Sequence, residues 1–175
     1  MQIVAEVAQP RMFSIREATE ADLPAIFAIY NDAVLNSTAT WATSEVLPAE
    51  QLAWLDEHQH PYAALVACDG DEVLGWASLS QYRPRLGYRF SVEDTVYIHT
   101  DHARRGIGRA LLLEIIDRAR AGGFRAILGK ISADNEASIA LHAALGFFEA
   151  GRERQVGYKF DRWLDLVTMQ LLLTD

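Results

Sequence analysis

The chain has 175 residues, with 16 Lys and Arg against 24 Asp and Glu, and it contains one cysteine, Cys68. This length suits one domain with a single core, and the apolar runs are too short to span a bilayer. The formal charge of −8 argues against nucleic acid as a partner, and a lone cysteine provides neither a disulfide framework nor a zinc cluster, so we expect no metal and a cytoplasmic setting.

Residues 1–11 predict a flexible lead, since they lack the basic region and the long apolar stretch of a signal peptide. We expect one domain over residues 12–175. Alternating residues predict a first strand over Phe13–Arg16. The pattern Thr19-x-x-Asp22 is a plausible capping box, and the apolar residues that follow it recur at helical spacing.

The rest of the chain predicts three more helices and six more strands. The turn Asp69-Gly70-Asp71 favours a hairpin between two of these strands. In chain order the elements are a helix over 48–58, strands over 62–68, 73–80 and 90–99, a helix over 108–121, a strand over 126–131, a helix over 135–145, and strands from 147 and over 163–172. This order is typical of an α+β fold with one mixed sheet of about seven strands and about four helices.

The most informative segment is the glycine turn between the strand that ends at His99 and the following helix. Gly106 and Gly108 lack a Cβ atom, so a ligand can approach their backbone closely. The first turn of a helix leaves amides without partners, and its dipole favours an anion. Arg104, Arg105 and Arg109 can add positive charge. The turn therefore predicts a cradle of pyrophosphate size, although a bare Gly-x-Gly is as often structural.

The glycine turn resembles the coenzyme A motif of GNAT acetyltransferases, which reads Gln/Arg-x-x-Gly-x-Gly/Ala. Aligned on Gly106 and Gly108, the first motif position is Ala103, whereas the register Arg105-x-x-Gly108-x-Ala110 also fits. We prefer the first register because it keeps both glycines in the turn. The resemblance implies the GNAT, or acyl-CoA N-acyltransferase, fold and acetyl-CoA as co-substrate.

The helix from Asn135 resembles a second GNAT motif, Asn-x-x-Ala/Ser-x-x-Leu-Tyr-x-x-x-Gly-Phe, with His142 in place of the tyrosine. Two helical turns separate these residues and put them on one face. The resemblance implies that Asn135 contacts pantetheine and that His142 is a candidate general acid. For Asn135 the alternative is a plain helix N-cap, and for His142 it is a packed or surface histidine. The implied acetyl-CoA contacts are Val96, Tyr97, Ile98, Arg104, Arg105, Gly106, Ile107, Gly108, Arg109 and Asn135.

Four segments resemble the phosphinothricin and methionine-sulfoximine acetyltransferases within that superfamily. They are residues 29–41, the loop 82–89 with its Arg-Pro-Arg-x-x-Tyr-Arg pattern, 92–98 with Glu-x-Ser/Thr-Val-Tyr-Val, and 156–165 with Gly-x-Lys-x-x-x-Trp-x-Asp. The resemblance covers residues 15–172. It implies acetylation of the α-amino group of a small amino acid or analogue, and a homodimer.

The chemistry requires a base, because an ammonium must lose a proton before it attacks a thioester. The resemblance makes Glu93 that base, in direct attack within a ternary complex, and the alternative is a carboxylate in a salt bridge. Guanidinium groups suit an anionic acceptor. The expected substrate contacts are Tyr30, Trp41, Arg83, Arg85, Asp94 and Thr95, and Trp163, Trp76 and Cys68 are expected in the core.

Two alternative functions would use the same acyl-CoA site. One is an acetyltransferase of peptide or protein N-termini, and the other is a non-catalytic acyl-CoA-binding module. Glu93 and the glycine turn favour an enzyme, while the acidic balance and the arginine loop favour a small acceptor. A nucleotide-binding protein is disfavoured, because no Walker lysine follows the glycines.

Overall fold

The computed structural model describes residues 13–173, which form one mixed seven-stranded sheet and four α-helices. The strands are β1 (Ser14–Glu17), β2 (Ala63–Asp69), β3 (Glu72–Gln81), β4 (Ser91–Ile98), β5 (Ala126–Ser132), β6 (Phe148–Lys159) and β7 (Arg162–Leu172). The helices are α1 (Leu23–Asn36), α2 (Pro48–Glu57), α3 (Ile107–Ala121) and α4 (Glu136–Ala143). The predicted α+β fold is confirmed.

The predicted lead over residues 1–11 lies outside the described residues, and the division into this lead and one domain stays a prediction. Within the described part of the chain, no helix is both long enough and apolar enough to cross a membrane.

The sheet has the strand order β1-β2-β3-β4-β5-β7-β6, and only the β4–β5 pair is parallel. This parallel pairing runs from Ser91 opposite Ala126 to Asp94 opposite Gly129 and then stops. Both strands continue beyond that point, to Ile98 and to Ser132, so they separate. We call the resulting gap the β4–β5 cleft.

Helices cover both faces of the sheet, because its central strands alternate apolar side chains between two clusters. In β2, Ala63, Leu65 and Ala67 pack with α3, whereas Ala64, Val66 and Cys68 pack with α1 and α2. Buried on both sides, β2 reads as a nearly continuous apolar run. The sheet therefore has an α1–α2 face and an α3–α4 face, and the cleft opens between them.

The predicted capping box forms at the entrance to α1. The Thr19 backbone N–H donates to Asp22 Oδ2 at 2.8 Å, and Arg16 donates to both oxygens of Asp22 at 2.7 and 2.8 Å. The hydrogen bonds and charge of Arg16 lower the pKa of Asp22 to about 2. These contacts attach β1 to the start of α1.

Of the three residues predicted to lie in the core, two are buried and one is exposed. Trp76 and Cys68 are buried, as predicted, but the prediction for Trp163 is wrong because its side chain is 62% exposed. Trp163 is the second residue of β7 and packs its ring on Tyr158 of β6, which is itself 52% exposed. The two side chains lie on an outer hairpin and not in either core cluster.

Candidate active site

A cavity of about 520 Å³ lies where β4 and β5 separate. Residues of both strands form its floor, α1, α2 and the loop between them cover it on one face, and α4 borders it on the other. The cavity brings together nine of the predicted site residues, namely Tyr30, Trp41, Glu93, Asp94, Thr95, Val96, Tyr97, Asn135 and His142.

Glu93 lies on β4 at the entrance to the cleft, on the α1–α2 face. It pairs with Leu128 of β5, and Lys130, two residues further along, shares the same face. Burial raises the pKa of Glu93, the ammonium of Lys130 opposes that rise, and the neighbouring carboxylate of Asp94 adds to it. A carboxyl group with a raised pKa in a cavity is suited to accept a proton from an amine.

The sequence analysis missed Lys130. Its Nζ donates to Thr168 Oγ1 at 2.8 Å and lies 5.8 Å from the centre of the Tyr82 ring. A signal was present, since Lys130 is the single charged residue in the stretch Ala126–Ile131, which packs inside the sheet. A lysine at such a position usually has a specific partner.

Asp94 follows Glu93 and therefore points to the opposite, α3–α4 face. His142 of α4 meets it there, with Nε2 2.9 Å from Asp94 Oδ2 and Nδ1 2.7 Å from the carbonyl oxygen of Ser138. The His142 ring also packs edge-on against Phe147. Asp94, a predicted substrate contact, lines the cavity, and one of its oxygens contacts His142 because strand alternation turns its side chain away from that of Glu93.

Aromatic rings form the wall of the cavity on the α1–α2 face. The ring of Tyr97 lies 5.4 Å from Tyr30 and 5.1 Å from Trp76, and Trp76 lies 5.4 Å from Trp54, measured between ring centres. The hydroxyl of Tyr97 donates to the carbonyl of Ala39 at 3.1 Å. Burial raises the pKa of Tyr97, so the phenol stays protonated and keeps this bond.

The segment Ser37–Trp41, which we call the strap, lies across the cavity between α1 and α2. Lys159 Nζ donates to the carbonyl oxygens of Ser37 at 2.7 Å and Thr40 at 2.8 Å. The ring of Trp41 lies directly on Gly157, where a Cβ atom would come within 2.5 Å of it. The strap is therefore held by the hairpin segment 156–165, whose role the sequence analysis did not identify.

The glycine turn continues β4 into α3. Gly106 has φ +78, a left-handed value that glycine adopts without strain, and α3 begins at Ile107, one residue before the predicted start. The first α3 hydrogen bond to Gly106 comes from the Ala110 N–H at 3.0 Å. The amides of residues 107–109 precede it and are oriented for an anion.

The side chains of the turn have different surroundings. Ile107 is buried, so only its backbone is available, and a Cβ atom on Gly108 would meet Leu141 at 3.3 Å. Gly108 thus allows close packing between α3 and α4. Arg105 donates to His102 Nδ1 at 2.8 Å, while Arg104 and Arg109 are exposed.

The arginine loop lies outside the cavity. Arg83 is exposed, with its guanidinium carbon 5.0 Å from the centre of the Tyr82 ring and 5.4 Å from that of Tyr88. Among the described residues that line the cavity, neither Arg83 nor Arg85 occurs. The loop meets the cavity lining through the Tyr82 ring, which lies beside Lys130.

Comparisons with known proteins relate this chain to acetyltransferases. The sequence model of the Acetyltransferase (GNAT) family matches residues 24–147. An L-methionine sulfoximine/L-methionine sulfone acetyltransferase of Pseudomonas aeruginosa is 49% identical over 162 residues, which cover 91% of this chain and 94% of the relative.

Two solved structures share the whole architecture. The phosphinothricin acetyltransferase of Sinorhizobium meliloti, in complex with AcCoA, has a TM-score of 0.89 and 38% identity, and the match covers 93% of this chain and 89% of that one. The ribosomal-protein-alanine N-acetyltransferase of Brucella melitensis has a TM-score of 0.88 and 46% identity, with 91% and 99% covered.

The substitution Gly157→Ala tests how the strap is held. The new Cβ atom would overlap the Trp41 ring, so we expect the free energy of unfolding to fall by about 1–3 kcal/mol, as for other overpacked sites. Urea denaturation measures the change. Gly151→Ala is the matched control on β6, because its Cβ atom would meet nothing within 4 Å. Equal stability of the two variants would show that the strap does not depend on this contact.

Proposed function

The chain belongs to the Acetyltransferase (GNAT) family and is an acetyltransferase, and from this premise we propose its acceptor and mechanism. It transfers the acetyl group of acetyl-CoA to the α-amino group of a small amino acid or analogue, of the methionine sulfoximine, methionine sulfone or phosphinothricin type. The observation that carries the proposal is the half-buried Glu93 at the cleft, in a cavity of ligand size. The names of the Pseudomonas and Sinorhizobium relatives support this acceptor class.

The residues around the cleft fit acetyl-CoA, which would supply an acyl thioester. The first amides of α3 would bind its pyrophosphate, with charge from Arg104 and Arg109. The backbone of Val96–Ile98 would pair with the pantetheine, since β4 has no partner from β5 at that level. The Asn135 side-chain oxygen accepts from the Ser138 N–H at 3.2 Å, which leaves its amide NH₂ group to donate toward the cavity.

The mechanism follows from where the side chains lie. The acceptor enters from the α1–α2 face, between the aromatic wall and the strap, and Glu93 takes a proton from its ammonium directly or through water. The amine then attacks the thioester carbonyl, whose oxygen the amides near Tyr97 and Ile98 would stabilise. His142, on the other face, would return a proton to the departing sulfur.

The size and walls of the cavity favour a small acceptor over a protein terminus. Its volume of about 520 Å³ is within the range of about 300–1,000 Å³ common for small-molecule sites. The strap and the rings of Tyr30 and Trp54 line the route that a peptide would need. Acetylation of peptide or protein N-termini is the second candidate, supported by the name of the Brucella relative.

A homodimer is part of the proposal. Large apolar side chains at the β6–β7 hairpin are about half exposed, at 52% for Val156, 52% for Tyr158, 51% for Phe160 and 62% for Trp163. Exposed apolar clusters of this kind favour contact with a second copy. Light scattering on the purified protein would give twice the chain mass if the dimer forms, and a monomer mass would contradict it.

Glu93→Gln tests the function. Glutamine keeps the size of the side chain but cannot take a proton, so we expect kcat near neutral pH to fall by roughly 10²–10⁴-fold. The loss should shrink as pH rises and the amine deprotonates by itself. Thiol release measures turnover, and stabilisation of the fold by acetyl-CoA should be unchanged. Wild-type turnover in this variant would remove Glu93 from the mechanism.

Lys130→Met tests the electrostatics of the base. The ammonium of Lys130 restrains the pKa of Glu93, so its removal should raise that pKa further. A base acts only when deprotonated, so the acid limb of the kcat/KM profile should move to higher pH. Lys130→Arg, which keeps the charge, is the control, and its acid limb should stay near that of the wild type. An unshifted limb in Lys130→Met would contradict the coupling.

The acceptor class is tested by a screen of free amino acids, sulfones, sulfoximines and phosphinothricin against peptides. We expect free amino acids to react faster than peptide N-termini. We keep Arg83 and Arg85 as proposed contacts for the anionic end of the acceptor. Arg85→Ala should therefore raise KM for an amino acid more than for a simple amine without a carboxylate. An equal rise in KM for both acceptors would show that the loop 82–89 does not bind the anionic end. Faster acetylation of peptides would favour the second candidate, an acetyltransferase of peptide or protein N-termini.

A further inference from the structure

Asp94 occupies the position that the motif Glu-x-Ser/Thr-Val-Tyr-Val leaves open, so the resemblance assigns it no catalytic role. In the structure it is 6% exposed and contacts His142, which is 2% exposed. The two side chains lie on the α3–α4 face of the cleft, and both line the cavity. Where the protons lie on this buried carboxyl group and imidazole decides what the pair can do at the edge of the site.

Both ring nitrogens of His142 face oxygen acceptors. Nδ1 lies 2.7 Å from the carbonyl oxygen of Ser138, and a carbonyl can only accept, so Nδ1 must carry a hydrogen. A neutral imidazole has one N–H, and this contact uses it. The 2.9 Å contact between Nε2 and Asp94 Oδ2 therefore requires one more hydrogen, on the ring or on the carboxyl group.

The pair therefore holds one shared proton. With the proton on Nε2, an imidazolium faces a carboxylate, and with the proton on Asp94 two neutral groups face each other. In both states the net charge of the pair is zero, which suits a buried site, whereas loss of the proton would leave a buried negative charge. Burial alone would lower the pKa of His142, but the hydrogen bond and charge of Asp94 outweigh it and raise that pKa.

The pair lines the cleft and is closely packed by the backbone of β5. Asp94 Oδ1 is buried without a hydrogen-bond partner among the described residues. A Cβ atom on Gly129 of β5 would lie 3.0 Å from His142 Nε2 and 3.2 Å from Asp94 Oδ1, closer than an ordinary contact, so glycine lets β5 pack directly against both atoms. The other charged groups at this level, Glu93 on β4 and Lys130 on β5, point to the opposite face.

We propose that Asp94 is a positioning residue that keeps a transferable proton on His142 for the sulfur leaving acetyl-CoA. The inference rests on the proposed acetyl transfer. The substrate ammonium gives one proton to Glu93, the C–N bond forms, and the C–S bond breaks. The new amide nitrogen loses a second proton, the thiolate sulfur takes one from the pair, and the pair is recharged by that second proton. The proton on Glu93 leaves to solvent, so the reaction releases one proton in total.

The geometry separates the two proton transfers. Glu93 faces the acceptor side of the cleft, while His142 and Asp94 face the side of α3 and its glycine turn. Glu93 and Asp94 are adjacent on β4, so their side chains point to opposite faces of the sheet. The base and the pair that donates the proton therefore lie on opposite sides of the same strand. One strand thus serves both the amine and the leaving sulfur.

Asp94→Asn tests the proposal with little change in shape. The asparagine NH₂ group can donate to Nε2, so His142 stays bound as the neutral ring, with its Nδ1 hydrogen still on Ser138. The hydrogen bonds remain and the shared proton is lost. We expect kcat to fall by about 10²-fold or more, as for removal of an acid, while KM for acetyl-CoA changes little.

The pH profile separates this effect from loss of structure. A proton donor acts only while protonated, and without the carboxylate the pKa of His142 should fall, so the alkaline limb of kcat should move to lower pH. Glu93→Gln should leave that limb in place. Asp117→Asn, the same change at an exposed site on α3, is the matched control. Wild-type kcat and an unmoved alkaline limb in Asp94→Asn would overturn the proposal.

Nitrogen-15 NMR of the wild-type His142 ring provides a readout that does not depend on catalysis. We expect Nδ1 to carry a hydrogen and the contact between Nε2 and Asp94 to hold a second one near neutral pH. A single ring hydrogen with an ionised Asp94 would overturn the shared proton. If the wild type acetylates no acceptor, the proposed function fails, and the NMR result still decides whether the pair holds its proton.

Discussion

The end of the parallel pairing between β4 and β5 is the constraint on which the site depends. Beyond Asp94 and Gly129 each strand continues without the other, which leaves backbone N–H and C=O groups facing a gap in the middle of the sheet. Unpaired backbone groups inside a protein are costly unless a partner satisfies them. A ligand that pairs with the free edge of β4 and ends at the first turn of α3 satisfies this requirement and the charge preference of the helix at once.

The cleft also explains how neighbouring residues acquire different chemistry. Glu93 and Asp94 are adjacent in sequence, yet strand alternation sends them to opposite faces. Glu93 shares its face of the sheet with Lys130 and the aromatic wall, whereas Asp94 contacts His142 on the other face. The environment of each carboxyl group is therefore set by the layer of helices that it faces, and one strand presents two ionisable groups to one cavity. The strap, held by Lys159, covers the cavity on the α1–α2 side.

Nine of the residues predicted for the site line one cavity, and several of the signals that pointed to them are local. The glycine turn is recognisable within a dozen residues, and Asn135 and His142 share a face through helical periodicity alone. The errors lie where local signals carry no information about surroundings. Lys130 was missed inside an apolar strand, and Trp163 was assigned to the core although the outer hairpin exposes it. Arg83 and Arg85 stay proposed contacts, although they lie on an exposed loop outside the cavity lining.

The sequence by itself determined the order of strands and helices and the turn that opens α3, because these follow from backbone preferences and burial periods that operate over a few residues. The choice of Glu93 as the candidate base came from the resemblance to the phosphinothricin and methionine-sulfoximine acetyltransferases. Only the tertiary structure decided that Asp94 pairs with His142, 48 positions away, and that Lys159 holds Ser37, 122 positions away. The reason is physical: partners so far apart in the chain meet only through the packing of whole layers, and short-range patterns do not encode which side chains those layers bring together.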